Sequence, residues 1–135
     1  MLEASITIRV PFFDVDPMSV VWHGNYIKYF ELARCELLEQ INYNYLQMAE
    51  SNYTWPIIEL KTKYVGSARL NDEIIVSAKL LEYENRLKIE YLITDKKTGK
   101  RLTKGYTIQV AVDMTTGEMC FVSPDILFEK LGVNR

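Results

Sequence analysis

Residues 12–34, FFDVDPMSVVWHGNYIKYFELAR, decide how this chain is organised. The stretch opens polar, with Asp14 and Asp16 two apart and Pro17 directly after the second. It closes on apolar residues that return at three- and four-residue steps: Tyr26, Phe30 and Ala33, continued beyond it by Leu37 and Ile41. That period predicts a helix with one buried face. Ile27 and Leu38 widen the stripe, and Lys28, Glu31, Arg34, Glu36 and Glu39 fall on the solvent side. Asn25 is the expected N-cap. His23, the only histidine of the chain, stands just before this helix.

On either side of the helix the period changes to two. Residues 5–12 alternate, with Ile6, Ile8, Val10 and Phe12 on one face, which predicts a half-buried strand. Residues 41–56 read as a short helical turn and a loop closed by Pro56. Ile58, Leu60, Thr62 and Tyr64 alternate with Glu59, Lys61 and Lys63. Residues 73–82 are apolar on both faces, which predicts a central, covered strand. Leu87, Ile89, Tyr91 and Ile93 alternate with charged and polar residues, and a long strand is predicted over 102–112. The turn DKKTGK places Gly99 where positive φ is needed. DMTTGE is a second turn, before a short strand at 119–122. Ser123 and Pro124 then read as N-cap and first residue of a last helix, with Gly132 ending it. One long helix followed by four or five antiparallel strands is an α+β layout, with the sheet curling around the helix.

The totals exclude several classes. At 135 residues the chain reads as one domain, 1–135, able to bury a core without disulfide or metal. A formal net charge of -2 gives no field for nucleic acid. Cys35 and Cys120 are far apart and share no CxxC spacing, consistent with reduced thiols in a cytoplasmic protein. Cys35 is expected to pack on the helix as a small hydrophobe. No basic segment precedes an apolar run at the N-terminus, and no run approaches the ~20 apolar residues of a membrane span. One histidine and no clustered ligands give no metal site.

The chemistry gathers in the opening stretch. Pro17 pushes Asp16 into extended geometry at a strand end, where a carboxylate can act as nucleophile or general base; a plain turn aspartate is the simpler alternative. His23 lies beside a helix N-terminus, whose unpaired N–H groups suit a polarised carbonyl oxygen. Asp14 reads as a loop cap or a partner for Arg34.

Taken together, Asp14, Asp16, Pro17, Val21, His23, Asn25, Tyr26, Phe30, Glu31, Ala33 and Arg34 resemble the signature of the hotdog-fold acyl-CoA thioesterases of the 4-hydroxybenzoyl-CoA thioesterase type. The later ARLNDEIIV, with Arg69, Asp72 and Glu73, is similar too. One departure is PMSVVW, where many members carry a glycine and this chain has Met18 and Ser19. The resemblance implies a curved antiparallel sheet of about five strands wrapping the long helix. It also implies homodimers that pair into a homotetramer, with sites at the subunit interface. It places catalysis on Asp16 and His23, carbonyl polarisation on His23 and Gly24, and substrate contacts on Asn25, Tyr26 and Arg69. No cofactor is implied, because coenzyme A arrives as part of the substrate. A thiolate leaves readily, since a thiol has a pKa of roughly 8.5, so no strong general acid is needed. Arg69, the basic turn with Lys96, Lys97, Lys100, Arg101 and Lys104, and the basic strand with Lys61 and Lys63 are candidate phosphate anchors; a solvated hairpin tip is the simpler alternative for the turn. Alternatives are an acyl carrier protein thioesterase, a hotdog dehydratase or hydratase, and a non-catalytic acyl-thioester binding module.

Overall fold

A computed structural model describes residues 2–134. In chain order its elements are β1 (Glu3–Arg9), α1 (Asn25–Gln40), α2 (Tyr45–Glu50), β2 (Tyr53–Thr54), β3 (Ile57–Tyr64), β4 (Glu73–Glu82), β5 (Leu87–Asp95), β6 (Arg101–Gln109), β7 (Val112–Asp113) and α3 (Asp125–Leu131). A 3₁₀ turn, Phe12–Asp14, follows β1. Five strands form one antiparallel sheet in the order β1-β4-β5-β6-β3, and β2 pairs with β7.

The helical stripe and the strand alternation meet in the core. Tyr26, Phe30, Ala33, Leu37 and Leu38 of α1 are buried. So are Ile74, Val76, Ala78 and Leu80 of β4, and Leu87, Ile89, Tyr91 and Ile93 of β5. The Phe30 ring stacks on Tyr91 at 4.6 Å. Each fully buried apolar side chain of this size contributes about 1.5–3 kcal/mol, so this helix–sheet contact is the principal source of stability. Gly99 and Gly132 occupy left-handed positions, at φ 75° and 70°.

Several expectations need correction. β1 stops at Arg9, before the proline at position 11 that cannot donate to a ladder, so Phe12 turns outward and is 79% exposed. Arg34 is 3% exposed rather than on the solvent side. Its guanidinium donates to the hydroxyls of Tyr45 (2.8 Å) and Tyr91 (3.2 Å) and lies 3.5 Å from Glu31. Cys35, conversely, is exposed. β4 is interior to the sheet, but its second face, with Glu73 and Lys79, is open. Residues 119–122 form no strand; Met119 makes one isolated bridge to Val112. The cap position of α3 is Pro124, with Asp125 the first helical residue.

β3 departs most from a buried strand. It lies at the sheet edge, paired only with β6, and nearly every residue is exposed, including Ile58, Leu60 and Tyr64.

Candidate active site

Residues 14–22 fold back on themselves as a small ribbon. Val15 bridges Val21, the Asp16 N–H donates to the Val20 carbonyl (2.9 Å), and the Trp22 N–H donates to the Asp14 carbonyl (3.0 Å). The second arm is held from its other side by residues 68–70. Val20 bridges Arg69, and the Val21 N–H donates to the Ala68 carbonyl (2.9 Å). At the tip, Ser19 takes φ 62°.

The two aspartates have different surroundings. Asp14 is 4% exposed. Its Oδ1 accepts from Lys28 Nζ (2.5 Å) and its Oδ2 from the Tyr29 hydroxyl (2.6 Å). Its carbonyl accepts from Asn25 Nδ2 (2.8 Å). Its partners are therefore Lys28 and Tyr29, not Arg34, because they lie on the first turn of α1, directly beside the ribbon. Burial and the adjoining Asp14 carboxylate push the Tyr29 phenol well above its ordinary pKa. Asp16, at the tip, is partly exposed. Its Oδ1 caps the turn, accepting from the Met18 N–H (2.8 Å) and the Val20 N–H (3.5 Å). Its Oδ2 accepts no hydrogen bond from the described residues.

The start of α1 also differs from expectation. Gly24, not Asn25, holds the cap position, and Asn25 is the first helical residue. The reason is the Asn25 side chain, which is drawn back to the Asp14 carbonyl. The Trp22 ring lies over Gly24 so closely that a Cβ there would come within 2.1–2.8 Å of its carbons. The Asn25 N–H donates to the Trp22 carbonyl (2.8 Å) and the Tyr26 N–H to the His23 carbonyl (3.4 Å). The N–H groups of His23 and Gly24 donate to no acceptor among the described residues. An open amide pair at a helix start is a ready site for a negatively polarised oxygen.

The His23 imidazole is exposed, 5.0 Å from the Trp22 ring and 6.2 Å from the Tyr64 ring. The Tyr64 hydroxyl donates to the His23 carbonyl (3.0 Å), tying the end of β3 to the helix start. No hydrogen bond joins His23 to Asp16 among the described residues. Along the ribbon Asp16 stands two residues, ~7 Å, from Asp14, and the Trp22 arm lies a further ~5 Å across.

Of the other predicted site residues, Arg69 lies opposite Val20, whose carbonyl accepts from the Asp16 N–H; its side chain is exposed at the rim. Tyr26 is buried, and its hydroxyl accepts the Ala68 N–H (2.9 Å), bracing the ribbon against α1. Burial raises its pKa. Trp22 and Tyr64 shape the helix start without having been singled out for it. The only sequence signals were an aromatic beside the histidine and a tyrosine ending a strand.

A family model described as the thioesterase-like superfamily matches residues 10–128. The chain belongs to this superfamily. It is 28% identical over 127 residues to a putative esterase of Synechocystis, covering 93% of this chain and 76% of that protein. It is 30% identical over 104 residues to the acyl-CoA thioesterase YbgC of Haemophilus influenzae, covering 71% and 76%. A solved 1,4-dihydroxy-2-naphthoyl-CoA thioesterase from Synechocystis shares the fold, with a TM-score of 0.86 over 96% of both chains at 14% identity. Within this thioesterase-like fold, the ribbon meets the helix start at Asp14 and Trp22, with Asp16 at its tip. No helix among the described residues is long and apolar enough to cross a membrane.

Proposed function

We infer that this protein is an acyl-CoA thioesterase, releasing free acid and coenzyme A, with Asp16 as its reacting carboxylate. The observations that carry the reading are a carboxylate oxygen left open at the ribbon tip and the unfilled amides of His23 and Gly24 at the helix start into which the ribbon leads. A thioester carbonyl oxygen received by those amides gains negative charge as its carbon is attacked, and preorganised donors stabilise that charge. Loss of one such donor costs about 2.7–4 kcal/mol in other acyl-transfer enzymes. Asp16 either attacks the carbonyl carbon, giving an acyl-aspartyl anhydride that water then opens, or takes a proton from the attacking water. In both routes the C–S bond breaks and the sulfur leaves as thiolate. Asn25 positions the amides through the Asp14 carbonyl, Tyr26 braces the ribbon, and Arg69 at the rim faces the substrate. The test is free-thiol release from short, long and aromatic acyl-CoA esters. Release from at least one ester supports the reading; none from any of them contradicts it.

Two copies join through β3, and such dimers pair again into tetramers. An exposed edge strand with unpaired backbone and apolar side chains is a pairing surface. Ile58→Lys combined with Leu60→Glu is expected to give monomers by sedimentation equilibrium; an unchanged oligomer would contradict this pairing. The reduced, widely spaced cysteines are consistent with work in the cytoplasm.

A further inference from the structure

The outer face of the sheet carries a feature that the reaction at Asp16 does not use. Lys61 and Lys63 of β3 and Arg101 and Lys104 of β6 line an open groove of about 550 Å³. Lys63 stands directly opposite Lys104 in the register. Like charges in that relation destabilise a sheet. None of the four cations forms an ion pair among the described residues. Among the described residues, Glu90 is the only carboxylate in the groove lining. A formal net charge of -2 makes this concentration of positive charge stand against the balance of the whole chain. The hairpin tip is different. There Lys96 is paired with Glu73 (3.3 Å), and neither Lys97 nor Lys100 lines the groove.

The groove lies at the catalytic end of the sheet. Tyr64, next to Lys63, holds the His23 carbonyl. The N–H groups of Val65 and Gly66 both donate to the Leu102 carbonyl (2.9 Å), beside Arg101. Two residues further on, the Ala68 carbonyl receives the Val21 N–H of the ribbon. The 65–68 loop therefore joins the basic groove to the site on the other side of the sheet, around the sheet's end rather than across the β3 edge.

We propose that this groove is the subsite for the phosphate-bearing nucleotide of coenzyme A, its cations meeting the phosphates while the pantetheine arm passes around the 65–68 loop to Asp16. The volume lies within the 300–1,000 Å³ usual for small-molecule sites. Leu92 and Tyr106 add an apolar wall for a base. The like-charge pair is then a stability cost retained for an anion. This assignment rests on the acyl-CoA thioesterase reading and sharpens it, because it makes the carrier a nucleotide.

The test is calorimetric titration of the whole protein with adenosine 3′,5′-bisphosphate, which needs no turnover. Wild type is expected to bind it. Lys63→Gln and Lys104→Gln should each weaken binding about tenfold, and both should raise the melting temperature by relieving the cross-strand repulsion. Lys97→Glu, at the hairpin tip, should bind as wild type does. The same two glutamine variants should lose at least tenfold more kcat/KM on acyl-CoA than on an acyl-pantetheine that lacks the nucleotide. No binding to wild type, or equal losses on the two thioesters, would overturn the subsite while leaving hydrolysis at Asp16 standing. Nucleotide binding without thiol release from any ester would overturn the thioesterase reading and keep the groove. An effect of the variants on an acyl carrier protein thioester, without nucleotide binding, would overturn the coenzyme A assignment.

Discussion

Asp14 and Asp16 are chemically identical and two residues apart, yet the fold gives them opposite employment. Asp14 faces inward, and every polar atom of it is engaged: its carboxylate by Lys28 and Tyr29, its carbonyl by Trp22 and Asn25. Asp16 sits at the ribbon tip with half its carboxylate committed to the turn and half open. A fully bonded carboxylate is a poor nucleophile and a good anchor; a half-bonded one, held in place by its turn, is the reverse. Position along the ribbon produces the difference, since extended residues two apart share a face. Trp22, opposite Asp14, leads directly into the helix, so the Asp14 carboxylate is taken up by α1 while that of Asp16 stays at the turn.

Substitutions can break or sharpen that contrast. The largest effect is expected from Asp16→Asn, which keeps the turn acceptor but removes the base or nucleophile. Turnover should fall at least about a thousandfold, ~4 kcal/mol of barrier, while denaturant unfolding stays close to wild type. Asp14→Ala should do the opposite in kind, costing about 2–3 kcal/mol of stability in chemical denaturation because the buried Tyr29 hydroxyl loses its acceptor. A wild-type midpoint would mean that Asp14 is not the anchor. Gly24→Ala drives the Trp22 ring off the helix start. A loss of about tenfold in kcat/KM, ~1.4 kcal/mol, together with a shift in tryptophan emission, is expected. Ser19→Gly relieves the left-handed backbone at the tip and should stabilise by ~0.5–1 kcal/mol, leaving the two aspartates in their places. Destabilisation would show that Ser19 contributes something its backbone angle does not reveal.

The same contrast marks how far the sequence could be read. Periodicity located α1 and the strands of the sheet because their burial repeats every 3.6 or 2 residues, and the Asp-Pro step singled out Asp16 through a purely local constraint. Asp14 was misassigned because its partners are chosen by how the ribbon docks on the first helical turn, which no local pattern encodes. Arg34 failed for a related reason. A charged residue on a helix reads as surface, and only tertiary packing brings the hydroxyls of Tyr45 and Tyr91 to its guanidinium. The opposite cations Lys63 and Lys104 are forty-one positions apart in sequence and become neighbours only through the β3–β6 register. The exposed amides of His23 and Gly24 were legible in outline from the helix start. The cap assignment was not, since it depends on the reach of Asn25 back to Asp14.

The division of labour between the aspartates is tested most directly by thiol release under saturating acyl-CoA, measured side by side for folded Asp16→Asn and Asp14→Asn. Background release from Asp16→Asn, with measurable turnover retained by Asp14→Asn, is the expected result. Turnover surviving in Asp16→Asn and lost in Asp14→Asn would contradict the assignment of the reacting carboxylate.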